Sequence, residues 1–498
     1  MAYEADLRGL FGRLASLRDA VREEGEALLD EWRPWLDRRD AAQRCLNLAH
    51  YVALRQRDLR PLQQDLPSWG LSSLGRSEGR VLPNIDAILA TVGALTGMPA
   101  SVVPTRPTVE QFGLGDRLLD EETERVLGPK PESRDTRIMV TLPTVAATEP
   151  ELLRTLIANG MDVARINCAH DRSQEWLAMV THIREGAAAV GRPCRVHLDL
   201  AGPKLRTTGV SLPSDDGRLR VGDRMILGKT GHSRAADIAH CGCSHPEIFA
   251  ELGVGDEIWF DDGKLGSRVS ETGKGMAVLV VTQARRRGER LRAGKGINIP
   301  CRNLRIPHLT DDDRDNLVWM LPHVDSVGLS FVRHPSDIAE FQDYLESLGR
   351  DFRSTPLIVK IETAQAVEHL PEIIARGTGR QPLGLMIARG DLAVEIGLCR
   401  LAEMQEEILW LAEAGHVPVV WATQVLERVV KKGRSSRGEV TDAAMGERAE
   451  CVMLNKGAYV AEGVAVLHDV LQRMQGHLHK KTPLLRALKS WPIATSAS

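Results

Sequence analysis

The chain has 498 residues, with 64 Lys and Arg against 67 Asp and Glu, a formal net charge of −3, and 43% apolar residues. That composition suits a globular protein of about three domains at roughly 150 residues each. It gives no bulk electrostatic reason to expect nucleic acid or a membrane surface as partner.

The opening MAYEADLRGLFGRL contains Glu4 and Asp6 and no long apolar core, so it does not read as a secretory leader. No run approaches the ~18 apolar residues of a spanning helix, and a cytoplasmic chain is expected. Residues 1–130 read as a helical N-terminal extension: Leu7, Leu10, Phe11, Leu14 and Leu17 recur at helical spacing, continued by Val21, Leu28, Leu29 and Trp32. The Gly/Ser/Arg segment from Ser72 to Arg80 has the composition of an anion-holding loop, although a plain loop is the simpler reading. Residues 104–135, rich in Pro, Gly and charge, read as a linker.

From residue 136 short apolar runs alternate with amphipathic stretches. The runs are Arg137–Leu142, Asp162–Cys168, Cys194–Leu200, Ser326–Val332, Pro356–Glu362, Leu383–Arg389, Pro418–Gln424 and Cys451–Lys456. Helical patterns follow most of them: Pro150–Ala158, Gln174–Val190, Ser336–Leu348, Ala366–Arg376, Leu401–Ala414, Gly438–Arg448 and Ala461–Gln475. Eight strands alternating with helices predict an α/β fold, a (β/α)8 TIM barrel. Between Leu200 and Thr310 the rhythm breaks into short strand-like pieces separated by Gly and Asp-Gly turns, which predicts a small β-barrel domain inserted after strand 3. The expected boundaries are 136–208 for the first part of the barrel, 209–296 for the inserted lid, 297–478 for the second part and 479–498 for a tail. Eight cysteines are scattered along the chain, as reduced thiols rather than a disulfide framework. Cys241, Cys243 and His245, with His232 and His240 nearby, resemble a metal-ligand cluster, but a Cys- and His-containing loop is the plainer reading.

Active sites of β/α barrels lie at the C-terminal ends of the strands. Those ends carry Arg165 and Asn167, Asp199 followed by Lys204 and Arg206, Ser330, Lys360 and Glu362, Gly390 and Asp391, and Thr423. Alternation places Arg165 with Asn167, and Lys360 with Glu362, on common faces. Glu362 and Asp391 end adjacent strands, so their carboxylates can converge on Mg²⁺ or Mn²⁺. Arg165, Arg206 and Lys360 around them suit a phosphate-bearing anion. Structural ion pairs in the barrel mouth are the competing explanation.

At these residues the sequence resembles the pyruvate kinase family over about residues 136–475. The matching stretches are Val163-Ala164-Arg165-Ile166-Asn167, Leu198-Asp199 with Gly202-Pro203 and Arg206-Thr207, Asp261-Asp262-Gly263, Lys295-Gly296-Ile297-Asn298-Ile299-Pro300, Ser330-Phe331-Val332-Arg333, Lys360-Ile361-Glu362, Ala388-Arg389-Gly390-Asp391-Leu392, and Ala422-Thr423-Gln424-Val425-Leu426-Glu427. The resemblance implies that Glu362 and Asp391 hold the divalent metal. Lys360, Arg165 and Thr423 are then catalytic. Gly390, Asp391, Thr423 and Ser330 bind substrate, while Arg206, Asn167 and Arg165 meet the nucleotide. Asn167, Asp199 and Lys204 form the monovalent-cation region, and the inserted domain closes as a lid that excludes water.

Four departures from the family pattern matter. Lys204 replaces the Glu, and Ala169 the Ser, of potassium-requiring members, so K⁺ is not expected to be required. Asn455-Lys456-Gly457 stands where Ser-Gly-Glu usually follows strand eight, which bears on protonation of the enolate. The first strand ends in Thr141-Leu142-Pro143-Thr144-Val145-Ala146 instead of Gly-Pro-Ala-Ser. The chain ends about twenty residues after its last predicted barrel helix; the family's C-terminal effector domain, and its sugar-phosphate site, are therefore expected to be absent.

Three functions stay open. The first is conversion of phosphoenolpyruvate and ADP to pyruvate and ATP. The second is a metal-dependent barrel enzyme that binds phosphoenolpyruvate or pyruvate with another acceptor or lyase chemistry. The third is a non-catalytic binding or regulatory protein. Nucleic acid and membrane are not expected as partners, and a homo-oligomer is compatible with the family.

Overall fold

The computed structural model describes residues 2–212, 216–229, 238–300 and 306–483. The chain opens with six helices, α1 (Ala2–Trp32), α2 (Ala41–Arg55), α3 (Arg60–Asp65), α4 (Val81–Thr96), α5 (Val109–Phe112) and α6 (Leu114–Leu127). The barrel begins with β1 (Arg137–Thr141), α7 (Pro150–Asn159), β2 (Val163–Asn167), α8 (Ser173–Val190) and β3 (Arg195–Asp199). Seven further strands follow: β4 (Thr207–Ser211), β5 (Arg224–Gly228), β6 (Ala239–Cys243), β7 (Glu257–Phe260), β8 (Leu265–Gly273), β9 (Met276–Gln283) and β10 (Ile297–Asn298). The barrel resumes with α9 (Asp311–Met320), β11 (Ser326–Leu329), α10 (Pro335–Ser347), β12 (Leu357–Ile361), α11 (Ala364–Glu368), α12 (Leu370–Thr378) and β13 (Leu383–Ala388). It is completed by α13 (Arg389–Ile396), α14 (Leu398–Ala414), β14 (Val419–Ala422), α15 (Glu427–Lys432), α16 (Arg437–Met445), β15 (Cys451–Leu454) and α17 (Val460–Met474).

Eight strands close into a parallel barrel in the order β1-β15-β14-β13-β12-β11-β3-β2. They are buried on both faces, inside by their own side chains and outside by helices, which is why most are largely apolar rather than alternating, with the polar exceptions such as Arg165, Asp199 and Lys360 gathered toward the C-terminal ends. The insertion after β3 is a second, seven-stranded sheet in the order β10-β7-β8-β9-β5-β6-β4. It has its own core, which includes Met225, Leu227, Ile258, Phe260 and Leu279. Cys241 and Cys243 belong to that core, and burial pushes their thiols up to about 12 and 11. His232 lies outside the described residues. No helix among the described residues is long and apolar enough to cross a membrane.

Two expectations about local structure need correction, one helix was not expected at all, and the Ser72–Arg80 segment follows its plainer reading. Residues 104–135 are not a linker throughout, because α6 occupies Leu114–Leu127. Val126 and Leu127 at its end join the apolar floor inside the barrel, with Met139, Val163, Ile358 and Met386. Glu122 of α6 is fully buried and accepts from Arg38 and from the backbone N–H of Leu383, which ties the helix to both the segment before α2 and β13. The helix expected over Ala366–Arg376 is broken after Glu368, where Pro371 lacks the N–H needed to continue it. The helix α9 gave no apolar periodicity; its signal was the capping box of Thr310 with Asp313 and the acidic first turn. The Ser72–Arg80 segment packs as an ordinary loop: Ser77 donates to the Leu74 carbonyl, Glu78 is buried against Tyr51 and Lys481, and Arg80 makes two bonds to Asp116.

Candidate active site

The strand ends converge as alternation requires. Arg165, Asn167, Asp199, Lys204, Arg206, Lys360, Glu362, Asp391 and Thr423 line one cavity of about 160 Å³, room for about five waters. Ser330 joins through its hydroxyl, which accepts from Lys360 Nζ at 2.7 Å and donates to the Leu200 carbonyl at 2.6 Å. Gly390 stands at the start of α13 on the wall of a neighbouring cleft of about 960 Å³ between lid and barrel. A Cβ on Gly390 would come within 3.9 Å of Thr423.

Charge in the cavity is concentrated and almost dry. Lys360 is 8% exposed and its ammonium lies 3.1 Å from Glu362 Oε1 and 3.5 Å from Asp199 Oδ2. Arg165 donates to Asp199 and, at 2.7 Å, to the Thr141 hydroxyl, while its Nε is buried with no partner among the described residues. Burial would raise the Asp199 carboxyl, but Arg165 and Lys360 hold it down at about 2. Burial would lower Lys360, but Asp199 and Glu362 keep it above the usual ammonium value. The two carboxylates thus favour the charged form of Lys360. Burial pushes Glu362 up, against the pull of Lys360 and with a further push from Asp391.

Glu362 and Asp391 could hold a divalent ion, since both line the cavity and Asp391 is close enough to push Glu362 up. Asp391 is already paired with one cation: Lys204 Nζ lies 2.8 and 2.9 Å from its two oxygens. A second positive charge would also relieve the mutual repulsion that raises Glu362. Among the described residues no group of three or more His, Cys, Asp or Glu is placed to hold a metal. Two carboxylates without a third ligand suit a weakly held Mg²⁺ better than an all-protein metal cage. The three residues of the expected monovalent-cation region line the same cavity, but their polar atoms have different partners. Asn167 Oδ1 accepts from the Ala169 N–H, Asp199 is taken by Arg165 and Lys360, and Lys204 faces Asp391, Asp262 and the ring of Phe331.

Two positioning features escaped sequence reasoning. The Phe331 N–H donates to Glu362 Oε2 at 2.7 Å, from a backbone with φ of 56° that a bulky residue rarely adopts. Arg389 donates to the carbonyls of Ala422 and Thr423 and pairs doubly with Asp442, which fixes the turn where Thr423 and Gln424 both have positive φ. The Ser330–Arg333 stretch was visible as a motif, but a backbone donor leaves no trace in residue identity. A second cavity of about 430 Å³ opens between the ends of β1 and β15, lined by Pro143, Val145, Leu152 and Lys456.

Comparison with known proteins identifies the barrel. A family model described as pyruvate kinase, barrel domain, matches residues 133–464. The pyruvate kinase of Bacillus licheniformis is 31% identical over 359 residues, covering 70% of this chain and 58% of its own length. That of Methylorubrum extorquens is 32% identical over 350 residues, 69% of each chain. That of Thermococcus litoralis is 32% identical over 349 residues, 68% of this chain and 69% of its own. The chain thus spans about three fifths to seven tenths of the length of these curated relatives.

Proposed function

The chain belongs to the pyruvate kinase family, and from that premise we propose that it transfers the phosphoryl group of phosphoenolpyruvate to ADP, giving pyruvate and ATP. The observation that carries the proposal is the buried Lys360 and Arg165 beside the Glu362–Asp391 pair, in a cavity sized for a small anion. In the transfer, the bond between phosphorus and the enol oxygen breaks and one to the terminal ADP oxygen forms; the enolate left behind then takes a proton from solvent at its methylene carbon to give pyruvate. The protein's task is to position the partners and neutralise charge. Arg165 and Lys360 supply two cations at the phosphoryl group, and the free Nε of Arg165 is a donor waiting for an acceptor. Thr423, with the start of α13 at Gly390 and Asp391, orients the carboxylate. Glu362 and Asp391 would hold magnesium or manganese, which would supply further positive charge for the phosphoryl group. The lid would exclude water from the transfer.

Nucleotide binding falls to Arg206 at the mouth of the first cavity and to the second cavity. There Pro143, Val145 and Leu152 offer an apolar wall for a base, and Lys456 a charge for phosphate. Lys204 keeps a fixed positive charge at Asp391, and on this ground turnover needs no potassium. The Asn455-Lys456-Gly457 segment, with Asn455 spent on Glu427 at 3.3 Å, favours the second reading, in which another acceptor receives the phosphoryl group. The test is pyruvate formation from phosphoenolpyruvate, ADP and Mg²⁺ in sodium and then in potassium buffer. Turnover in sodium that potassium does not change is expected. Turnover only in potassium refutes the role of Lys204, and no turnover in either refutes the kinase reading.

A further inference from the structure

The lid rests on α13. A Cβ on Gly263 of the lid would lie 3.5 Å from Val394, and Lys204 bridges Asp391 to the lid's Asp262, at 2.8 and 4.0 Å. The most informative contact is one turn further along the helix. Glu395, four residues after Asp391 and so on the same helix face, accepts from Asn298 Nδ2 at 3.3 Å and from the backbone N–H of Ala364.

Each partner belongs to a different segment. Asn298 lies in β10, on the lid's return to the barrel, paired with Trp259 of β7, and the neighbouring Ile297 N–H bonds the Leu205 carbonyl on the outgoing strand of the same hinge. Ala364 is two residues beyond Glu362. Glu395 therefore touches the lid hinge and the segment after one proposed metal carboxylate, and it sits on the helix that carries the other. The contact is sensitive to position because its groups have no alternatives. Asn298 is 5% exposed and its Oδ1 is buried without a partner among the described residues. Glu395 is partly buried with no cation paired to it among the described residues, and burial pushes its carboxyl up to about 7. Beside the pair lies a cavity of only about 70 Å³, space for about two waters. A hinge displacement that parts the pair leaves two polar groups enclosed and short of partners, which costs more than parting them at the surface.

We propose that Glu395 is a positioning residue that passes the position of the lid, through Asn298, to the segments bearing Glu362 and Asp391. Closing the lid and setting the two carboxylates are then one motion. The inference rests on the phosphoryl-transfer reading for its consequence in turnover, but not for the coupling itself.

The test uses the full-length chain with Glu395→Gln, Glu395→Leu, Asn298→Leu and the Glu395→Leu/Asn298→Leu pair. Three quantities are measured: hydrogen exchange at the hinge segment containing Ile297, affinity for Mn²⁺ alone by electron spin resonance, and kcat and KM. Glutamine can still accept from Asn298 Nδ2 and can donate to Oδ1, so it should stay within about threefold of wild type. Each leucine variant should speed hinge exchange and weaken Mn²⁺ binding by about tenfold, the range for loss of a group that orients a metal ligand. The double variant should be no worse than either single one. Leucine variants with wild-type exchange and Mn²⁺ affinity overturn the proposal, as does a Glu395→Gln variant as impaired as Glu395→Leu. If Glu395→Leu does not fold, Asn298→Leu decides from the other side of the contact. If exchange and Mn²⁺ affinity shift as expected while wild type turns over no phosphoenolpyruvate, the coupling stands and the kinase reading falls. Wild-type turnover with no shift in any variant gives the reverse.

Discussion

Lys204 gives the most direct handle on the site. Its ammonium lies 2.8 Å from Asp391, and the two side chains are 18% and 15% exposed. At an effective dielectric of about 20, that separation corresponds to about 6 kcal/mol of attraction before desolvation is charged against it. Lys204→Glu turns the attraction into a repulsion of similar gross size. Hinge relaxation and water entry reduce the net cost; a residual of about 1.4–2.8 kcal/mol is one to two decades in rate. The variant should therefore turn over in sodium some 10- to 100-fold more slowly than wild type. Potassium should restore most of the loss by placing a cation between the introduced carboxylate and Asp391. The assay is initial-rate pyruvate formation at saturating phosphoenolpyruvate, ADP and Mg²⁺, titrated with K⁺ at constant ionic strength. A folded variant with wild-type rates in sodium, or a slow one indifferent to potassium, would refute the reasoning.

Other expectations follow from the same contacts. Lys360→Met removes a nearly dry cation from between Asp199, Glu362 and Ser330; kcat should fall by about 10²–10³, as for other lost charge-stabilising donors, and a variant within tenfold of wild type would remove Lys360 from the transfer. Leu127→Ala, at 1% exposure in the barrel floor, should cost about 2–5 kcal/mol in denaturant unfolding while leaving KM for phosphoenolpyruvate unchanged. Glu447 is buried, its Oε2 has no partner among the described residues, and burial pushes its carboxyl up to about 7. Because the folded state holds this proton longer than the unfolded chain, stability is unaffected below about pH 4.5 and falls as pH rises toward and through 7. Glu447→Gln should thus be neutral near pH 4.5 and stabilising at pH 8, by up to about 3 kcal/mol; equal effects at both pH values would show that the carboxyl is not responsible.

What the sequence made legible follows from how local each signal is. Parallel strands buried on both faces are mostly apolar, so Leu383–Ala388 and, Lys360 apart, Leu357–Ile361 stand out without any partner in view. The period-2 rule alone put Lys360 and Glu362 on one face, and their side chains meet at 3.1 Å. The features that stayed hidden depend on the closed barrel. Val126 and Leu127 look like the end of a polar stretch until the barrel floor is there to receive them. Phe331 contributes an amide that every residue but proline possesses. Glu395 and Asn298 are 97 positions apart, and neither is unusual where it stands. Their significance comes from the inserted sheet folding back across the strand ends, which sets an enclosed carboxamide against a carboxyl with no counter-ion among the described residues. The residues proposed to meet the reacting groups sit in short motifs readable from the chain. Those proposed to set when the site is assembled lie in contacts between segments, and there the structure adds most.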